Sequence, residues 1–398
     1  MLGLYHRIGI HTAPPGTLFF FIHVHLRNRL SGRLRHYMTG ELYSRGRFGG
    51  TPYYDIARIR RTRPVEGLAL IFFFGLGDYL LATPAIEALR MAHPGLLIYG
   101  YVSSNIDQVN SPLVAAMART NRHIDAVFTY RGRAGRHWTE YDFRDCLKDI
   151  PKNFIILPMI YSTNPDAFHR VTSLCESFQL PVRLPVPLPV LEPSTLSAAG
   201  AAILEDISER LVRPTGGPIV CCHFGTRSSN YLYPHRDAVV RGLLRSGYGV
   251  VTLSEIGLED PALVAIDVST IAPNDTIELL RALKQRGLDV YCVSVNSVMW
   301  PLSSGLRIFN LGLHIFEDRS VHQYVYPNIF VLTQYYYPCL SPSRVFLAPE
   351  GAFKQREDSG IAFTDFAPEL VLECFGRMID MVSGTVQVEA VQRDRRDT

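Results

Sequence analysis

Short apolar runs alternate with helical patterns along most of this chain. The continuous apolar run at 68–74 is typical of a strand that is buried on both faces of a parallel sheet. Apolar side chains at helical spacing follow over 79–91, and His93-Pro94-Gly95 ends that helix. Because a second apolar run comes next, at 96–102, the pattern predicts an α/β fold with parallel strands.

The alternation continues on both sides of a proline-rich segment. That segment, residues 180–193, contains five prolines, which excludes a helix and indicates an extended connector. Before it, the pattern predicts strands at 126–130 and 154–158 and a helix at 165–178. After it, helices are predicted at 195–211, 235–246, 276–286 and 366–381, and strands at 219–223, 249–253 and 290–295.

We therefore predict that the chain has four parts. A basic amphipathic extension covers 1–65, two α/β domains cover 66–190 and 191–385, and a polar tail covers 386–398. For the last helix of the second domain, packing back against the first domain is an alternative to packing within its own.

The extension is strongly basic. It contains eleven arginines against two acidic residues, although the whole chain of 398 residues has a formal net charge of only +3. This asymmetry predicts contact with acidic lipid, a phosphorylated saccharide or nucleic acid; the alternative is a solvated leader with no partner. Because the apolar residues 18–22 precede several of these arginines, residues 17–63 suit a helix in a membrane interface or one packed on the body.

The composition is that of a globular protein, with 47% hydrophobic and 19% charged residues. The longest early apolar stretch, 18–26, is about half the length that crosses a bilayer, and no secretory cleavage site follows it. The seven cysteines show no CxxC spacing, and the histidines show no HExxH motif. We expect a cytoplasmic protein with no metal site and no cofactor, peripheral on the inner face of the membrane if the extension binds lipid.

The segment Gly75-Leu76-Gly77-Asp78 is the strongest candidate for chemistry because it joins the predicted first strand to the predicted helix. Gly75 and Gly77 allow a tight turn and the close approach of a ligand. Asp78 is either an N-cap of the helix or a carboxylate at the sheet edge where open α/β folds bind ligands. A dinucleotide site is disfavoured, because the third glycine of its fingerprint would replace Leu80.

A family resemblance rests on Gly75-Leu76-Gly77-Asp78, Thr83-Pro84, Leu89-Arg90, Pro94 and the strand at 96–102. In this spacing they resemble the opening of the ADP-heptose:lipopolysaccharide heptosyltransferases, of glycosyltransferase family 9. The resemblance covers about residues 66–385 and implies a GT-B fold, with two Rossmann-like parallel-sheet domains facing a cleft. It also implies inverting, metal-independent transfer, with Asp78 at the position of the family's proposed general base.

The second domain resembles the same family near two strand ends. The segment His223-Phe224-Gly225-Thr226 is similar to the family's His-Pro-Gly-Ala/Thr, which makes Gly225 and Thr226 candidate donor-binding residues. Tyr231 stands where the family has a phosphate-binding Lys. Arg227 is the candidate replacement cation, because a guanidinium can grip a diphosphate with two prongs; a surface loop Arg is the alternative.

A third block supplies further candidate donor-binding residues, Asn296, Ser297 and Val298. Here Asn296 replaces the family's Asp, and Val298-Met299 replaces its Gly-Pro, so the heptose donor is not carried over. Glu259 roughly matches an acidic residue that holds the donor ribose, and a solvated surface Glu is its alternative.

The resemblance implies a glycosyltransferase that moves a sugar from a nucleotide-diphosphate sugar to a hydroxyl acceptor. The expected acceptor is a saccharide or a lipid-linked saccharide, as in lipopolysaccharide biosynthesis. Two alternatives stay open: transfer to a modified base of nucleic acid held by the basic extension, and a non-catalytic binding module. The divergent third block favours the last of these.

Overall fold

The computed structural model describes part of the chain, and it divides the chain into two compact units, Met1–Ser194 and Thr195–Thr398. Most of the basic extension and the polar tail lie outside the described residues. The described residues are 42–43, 53–72, 75–103, 110–130, 133–134, 141–142, 149–159, 169–181, 185–212, 217–225, 232–272, 274–315, 325–335, 344–358 and 361–384.

The first unit is built on a parallel sheet in the order β5-β4-β3-β8. All six residues of its central strand β3 are buried, as the continuous apolar run predicts. Two short antiparallel pairs, β1–β2 and β6–β7, accompany it. Its elements are β1 Leu42–Tyr43, β2 Tyr53–Tyr54, α1 Ile56–Thr62, β3 Gly67–Phe72, α2 Leu76–Ala92, β4 Leu97–Ser103, α3 Asn110–Thr120, β5 Ala126–Tyr130, β6 Arg133–Ala134, β7 Tyr141–Asp142, β8 Phe154–Pro158 and α4 Arg170–Ser177.

Helix α2 contains a proline, and the residue before it compensates for the missing backbone donor. Pro84 has no N–H to donate to the Leu80 carbonyl one turn back. The Thr83 hydroxyl donates to that carbonyl instead, at 2.7 Å. The same oxygen accepts the backbone N–H of Val190 at 2.8 Å, so the Thr-Pro pair also binds the extended connector to the first unit.

The second unit contains a larger parallel sheet in the order β11-β10-β9-β12-β13-β14-β15. An antiparallel hairpin, β16–β17, follows it. A π-helical segment, Ser208–Val212, continues the first helix of the unit. The other elements are α5 Ala198–Ile207, β9 Ile219–His223, α6 Arg236–Arg245, β10 Gly249–Thr252, β11 Leu263–Ala265, α7 Asp275–Gln285, β12 Val290–Val295, α8 Met299–Gly305, β13 Phe309–Leu313, β14 Ile329–Thr333, β15 Val345–Leu347, β16 Phe353–Asp358, β17 Ile361–Phe366 and α9 Pro368–Ser383.

The last helix, α9, packs within the second unit. Its residues Val371, Phe375 and Met378 belong to the buried core of the sheet. Gly242 of α6 lies against Leu372 so closely that a Cβ at position 242 would overlap the leucine side chain. Glycine at this position therefore allows helices α6 and α9 to come together.

The predicted α/β class with parallel sheets is confirmed in both units. The strands predicted at 126–130, 154–158, 219–223 and 290–295 are found with those bounds. Among the described residues, none of the helices has the length and apolar character needed to cross a bilayer.

Candidate functional site

The first candidate site lies where the chain reverses its direction across the first sheet. From β3 the chain runs to β4 and β5 on one side, and β8 then pairs with β3 on the other side. In open parallel sheets, ligands bind outside the carboxyl ends of the strands at such a switch point. Asp78 follows β3 here, and Arg170 follows β8.

Asp78 lies within the first turn of α2, and the N-cap of that helix is Gly75. The N-cap interpretation of Asp78 is therefore wrong, because the helix begins three residues earlier than the apolar spacing suggests. Gly75 has φ −73°, a value that any residue adopts, and Gly77 lies within the helix. The expectation that these glycines serve a tight turn is therefore not met by their backbone angles.

The Asp78 carboxylate is paired with the Arg170 guanidinium, through Oδ1 and Nη1. The side chains retain 28% and 18% of their exposure respectively, so the pair borders solvent without lying fully in it. Helices α2 and α4 pack together, which brings their first turns to one edge of the sheet. The pair is thus held by packing between two helices.

The neighbour of Asp78 fixes the rotation of α2. Tyr79 is fully buried, its ring meets Phe72 edge-on at 5.5 Å, and its hydroxyl accepts from Asn121 Nδ2 at 3.3 Å. Burial raises the pKa of the Tyr79 hydroxyl far above its usual value, so it stays protonated and donates to the Met117 carbonyl. With Tyr79 held in the core, Asp78 is directed to the side where Arg170 lies.

The second candidate site lies at the corresponding point of the larger sheet. There β9 and β12 are neighbours, and the chain continues from them in opposite directions, to β10 and to β13. At their carboxyl ends, Ser254, His223 and Ser297 form a serine–histidine row. His223 Nδ1 lies 3.0 Å from Ser297 Oγ, and Ser254 Oγ accepts the backbone N–H of Phe224 at 2.9 Å.

His223 is a neutral member of this row. Burial lowers the pKa of its imidazole to about 4, so at neutral pH the ring offers one donor and one acceptor nitrogen and no charge. Ser297 Oγ also accepts from the Met299 amide at 3.3 Å. The row can therefore hold a polar ligand by hydrogen bonds, and positive charge for a diphosphate has to come from another side chain.

The two ends of the segment between β9 and α6 are held together. The Tyr233 amide donates to the Phe224 carbonyl at 2.8 Å, and the buried Tyr233 hydroxyl donates to the Phe366 carbonyl at 2.7 Å. Arg356 of the β16–β17 hairpin donates to the Leu232 carbonyl at 2.9 Å. Burial raises the pKa of Tyr233, consistent with a structural donor at this position.

The predicted donor-binding residues have different outcomes. Gly225 is half-buried beside Leu232, and Ser297 belongs to the serine–histidine row. The Asn296 amide donates to the Leu313 carbonyl at 3.2 Å, so it holds β13. Val298 precedes α8 as its N-cap, and Glu259 is exposed in the loop between β10 and β11. Thr226, Arg227 and Tyr231 lie outside the described residues.

Sequence reasoning missed Arg170 and Ser254. Arg170 could be found by combining two signals: it begins the helix after the strand at 154–158, and right-handed crossovers place that strand beside β3. Ser254 carries no comparable signal, because its role depends on the Phe224 amide of a neighbouring strand end.

Metal ligands do not converge in the described part of the chain, where no group of three or more His, Cys, Asp or Glu side chains could hold an ion. Cys221 and Cys222 of β9 and Cys292 of β12 are buried in the sheet. Burial raises the pKa of the Cys222 thiol, which packs as a small apolar side chain.

Comparison with known proteins shows a likeness of structure. No protein-family model and no curated protein matches the chain. The structure of ADP-heptose LPS heptosyltransferase II from E. coli is similar, with 11% identity, a TM-score of 0.51, and coverage of 79% of this chain and 99% of that one. Its likeness shows that the chain has the fold of that protein, and it confirms the predicted resemblance at the level of the fold.

Two further solved structures were matched. One is a glycosyl transferase family 9 protein from Veillonella parvula DSM 2008, with 13% identity, coverage of 80% of this chain and 98% of that one, and a TM-score of 0.49. The other is E. coli heptosyltransferase WaaC with ADP, with 13% identity, coverage of 66% and 92%, and a TM-score of 0.38.

Proposed function

We propose that the protein is a glycosyltransferase that moves a sugar from a nucleotide-diphosphate sugar to a hydroxyl group of an acceptor. The observation that carries the proposal is the position of Asp78, a partly exposed carboxylate at the switch point of a parallel sheet. A fold similar to that of a heptosyltransferase supports it. The second switch point, with its serine–histidine row, suits the nucleotide sugar.

In the proposed reaction, Asp78 accepts the proton of the acceptor hydroxyl. The acceptor oxygen forms a bond to the anomeric carbon as the bond to the diphosphate oxygen breaks, so the nucleoside diphosphate leaves with the bonding electrons. This single displacement inverts the anomeric centre and uses no metal. A positioned general base of this kind contributes roughly 10² to 10⁴-fold to the rate.

The donor diphosphate is assigned to Gly225, Thr226, Arg227 and Ser297, with Asn296 and Val298 flanking them and Glu259 as the candidate for the ribose. Because His223 is neutral at physiological pH, Arg227 is the proposed source of positive charge. ADP-heptose is one donor to test, since the similar E. coli structure is an ADP-heptose heptosyltransferase. The proposed acceptor is a saccharide or a lipid-linked saccharide at the cytoplasmic face of a membrane, reached by the basic extension.

A thermal-shift screen against nucleoside diphosphates and ADP-, UDP- and GDP-sugars tests the donor site. We expect one nucleotide family to raise Tm, because a ligand at about 100 times its Kd stabilises the folded state by about 2.7 kcal/mol. Arg227→Ala should reduce that shift. Arg245→Ala removes an exposed arginine at the other end of α6 and should leave the shift unchanged.

The alternatives give other outcomes in the same screen. A nucleotide shift without any release of nucleoside diphosphate would favour the non-catalytic binding module, which the divergent third block supports. No shift with any nucleotide, combined with salt-sensitive duplex binding, would favour a nucleic-acid function of the basic extension and contradict the proposal.

A further inference from the structure

The partner of the candidate base is an arginine in an unusual place. Arg170 is the first residue of α4, and its guanidinium contacts Asp78 of α2. A helix N-terminus carries partial positive charge, so a cation there is unfavourable and an anion is favourable. Asp78, in the first turn of α2, agrees with this rule, whereas Arg170 opposes it. The stability of α4 therefore gives no reason for an arginine at this position.

The contact itself supplies a reason. A guanidinium is planar and has several donors in a fixed arrangement, so it can restrict the rotation of a carboxylate in a way that a single ammonium group does not. The Arg170 side chain is only 18% exposed, and the residue before it, His169, caps α4 by accepting the Val171 amide at 3.3 Å. Both the backbone and the packing hold Arg170 in place.

We infer that Arg170 is a positioning residue that holds the Asp78 carboxylate in the orientation needed for proton transfer. This inference rests on the proposed function. It assigns Arg170 no contact with the donor, so its loss should lower turnover and leave donor affinity unchanged. Since misplacement of a reacting group by about 1 Å can cost about 10²-fold in rate, a loss of roughly that size is expected.

A double-mutant cycle tests the inference through the release of nucleoside diphosphate from the nucleotide sugar that gives the largest thermal shift. Arg170→Gln should lower kcat by about 10²-fold with KM within about twofold of wild type. Arg170→Lys should recover only part of the loss. In an Asp78→Asn background, Arg170→Gln should have no further effect on kcat, because Arg170 acts through Asp78. Arg122→Gln, which replaces an exposed arginine that pairs with Glu87 and Glu192 in the same unit, is the control and should keep wild-type kcat.

Several outcomes would overturn the inference while the proposed function stands. Wild-type kcat in Arg170→Gln would do so, as would a loss of kcat in the Asp78→Asn background equal to the loss in the wild-type background. A raised KM for the donor at unchanged kcat would make Arg170 a binding residue instead.

A protein that releases no nucleoside diphosphate contradicts the proposed function, and the pair is then judged by stability. If Arg170 holds Asp78, the Tm loss of the double variant is smaller than the sum of the losses of the two single variants. Additive losses would show that the two side chains are not coupled, and they would overturn the inference on their own.

Discussion

His223 shows how burial decides the chemistry of one side chain. Its pKa of about 4 lies below the value of about 6.5 for an unfolded histidine. As pH falls from 6.5 toward 4, the unfolded chain binds a proton that the folded ring refuses, so stability is full above pH 6.5 and decreases through this window. The difference amounts to about 3 kcal/mol at its limit.

We predict that His223→Gln loses less stability than wild type between pH 7 and about pH 4.5. The glutamine amide can still bond to Ser297, and it does not titrate. Urea denaturation at a series of pH values measures the free energy of unfolding. Ser297→Ala keeps the imidazole and should retain the wild-type slope. A slope in His223→Gln equal to that of wild type would show that other groups cause the acid loss.

Residue pairs mark where sequence reasoning ends. Asp78 is found from its place between a predicted strand and a predicted helix. Its contact with Arg170 joins residues 92 positions apart, so it follows only once the strand order is known. The same holds for the contact between His223 and Ser297, which joins the ends of two strands.

At the scale of the element, the Thr83-Pro84 pair determines how α2 carries a proline without losing a hydrogen bond. Thr83→Val keeps the shape of the side chain and leaves both the Leu80 carbonyl and the Val190 amide without the Thr83 hydroxyl. We expect a loss of about 2 kcal/mol in the free energy of unfolding, since each orphaned buried group costs about 1–3 kcal/mol.

Thr83→Ser is the matched control, because it keeps the hydroxyl and removes one methyl group at a cost of about 1 kcal/mol. Chemical denaturation of the two variants gives the comparison. If Thr83→Val were as stable as Thr83→Ser, the hydroxyl would have no role in holding α2 and the connector.

Elements that obey a simple hydrophobic pattern are predictable from the sequence, and those shaped by tertiary contacts are not. Strand β3 is a continuous apolar run and is predicted well. Strand β13 contains Asn310 and Gly312, which break the strand pattern. Asn310 is buried because its amide donates to Ser294 and Ser303, and Gly312 leaves room for the Trp300 ring. Neither reason is visible before the fold is known.

At the scale of the whole molecule, the α/β class and the parallel sheets could be predicted, because strands and helices alternate along the chain. Each unit places polar side chains at the carboxyl ends of the strands where the strand order reverses. Asp78 and Arg170 lie there in the first unit, and the serine–histidine row lies there in the second. The account therefore assigns base chemistry to the first unit and donor binding to the second.

The division of labour between the two units is tested most directly by Asp78→Asn. Nucleoside diphosphate release and the nucleotide-induced Tm shift are measured on the same preparations of wild type and variant, with the nucleotide sugar that stabilises the wild type most. The account predicts an unchanged Tm shift in the variant and turnover lower by at least about 10²-fold, because donor binding is separate from the base. Turnover at the wild-type rate in Asp78→Asn would contradict the central claim.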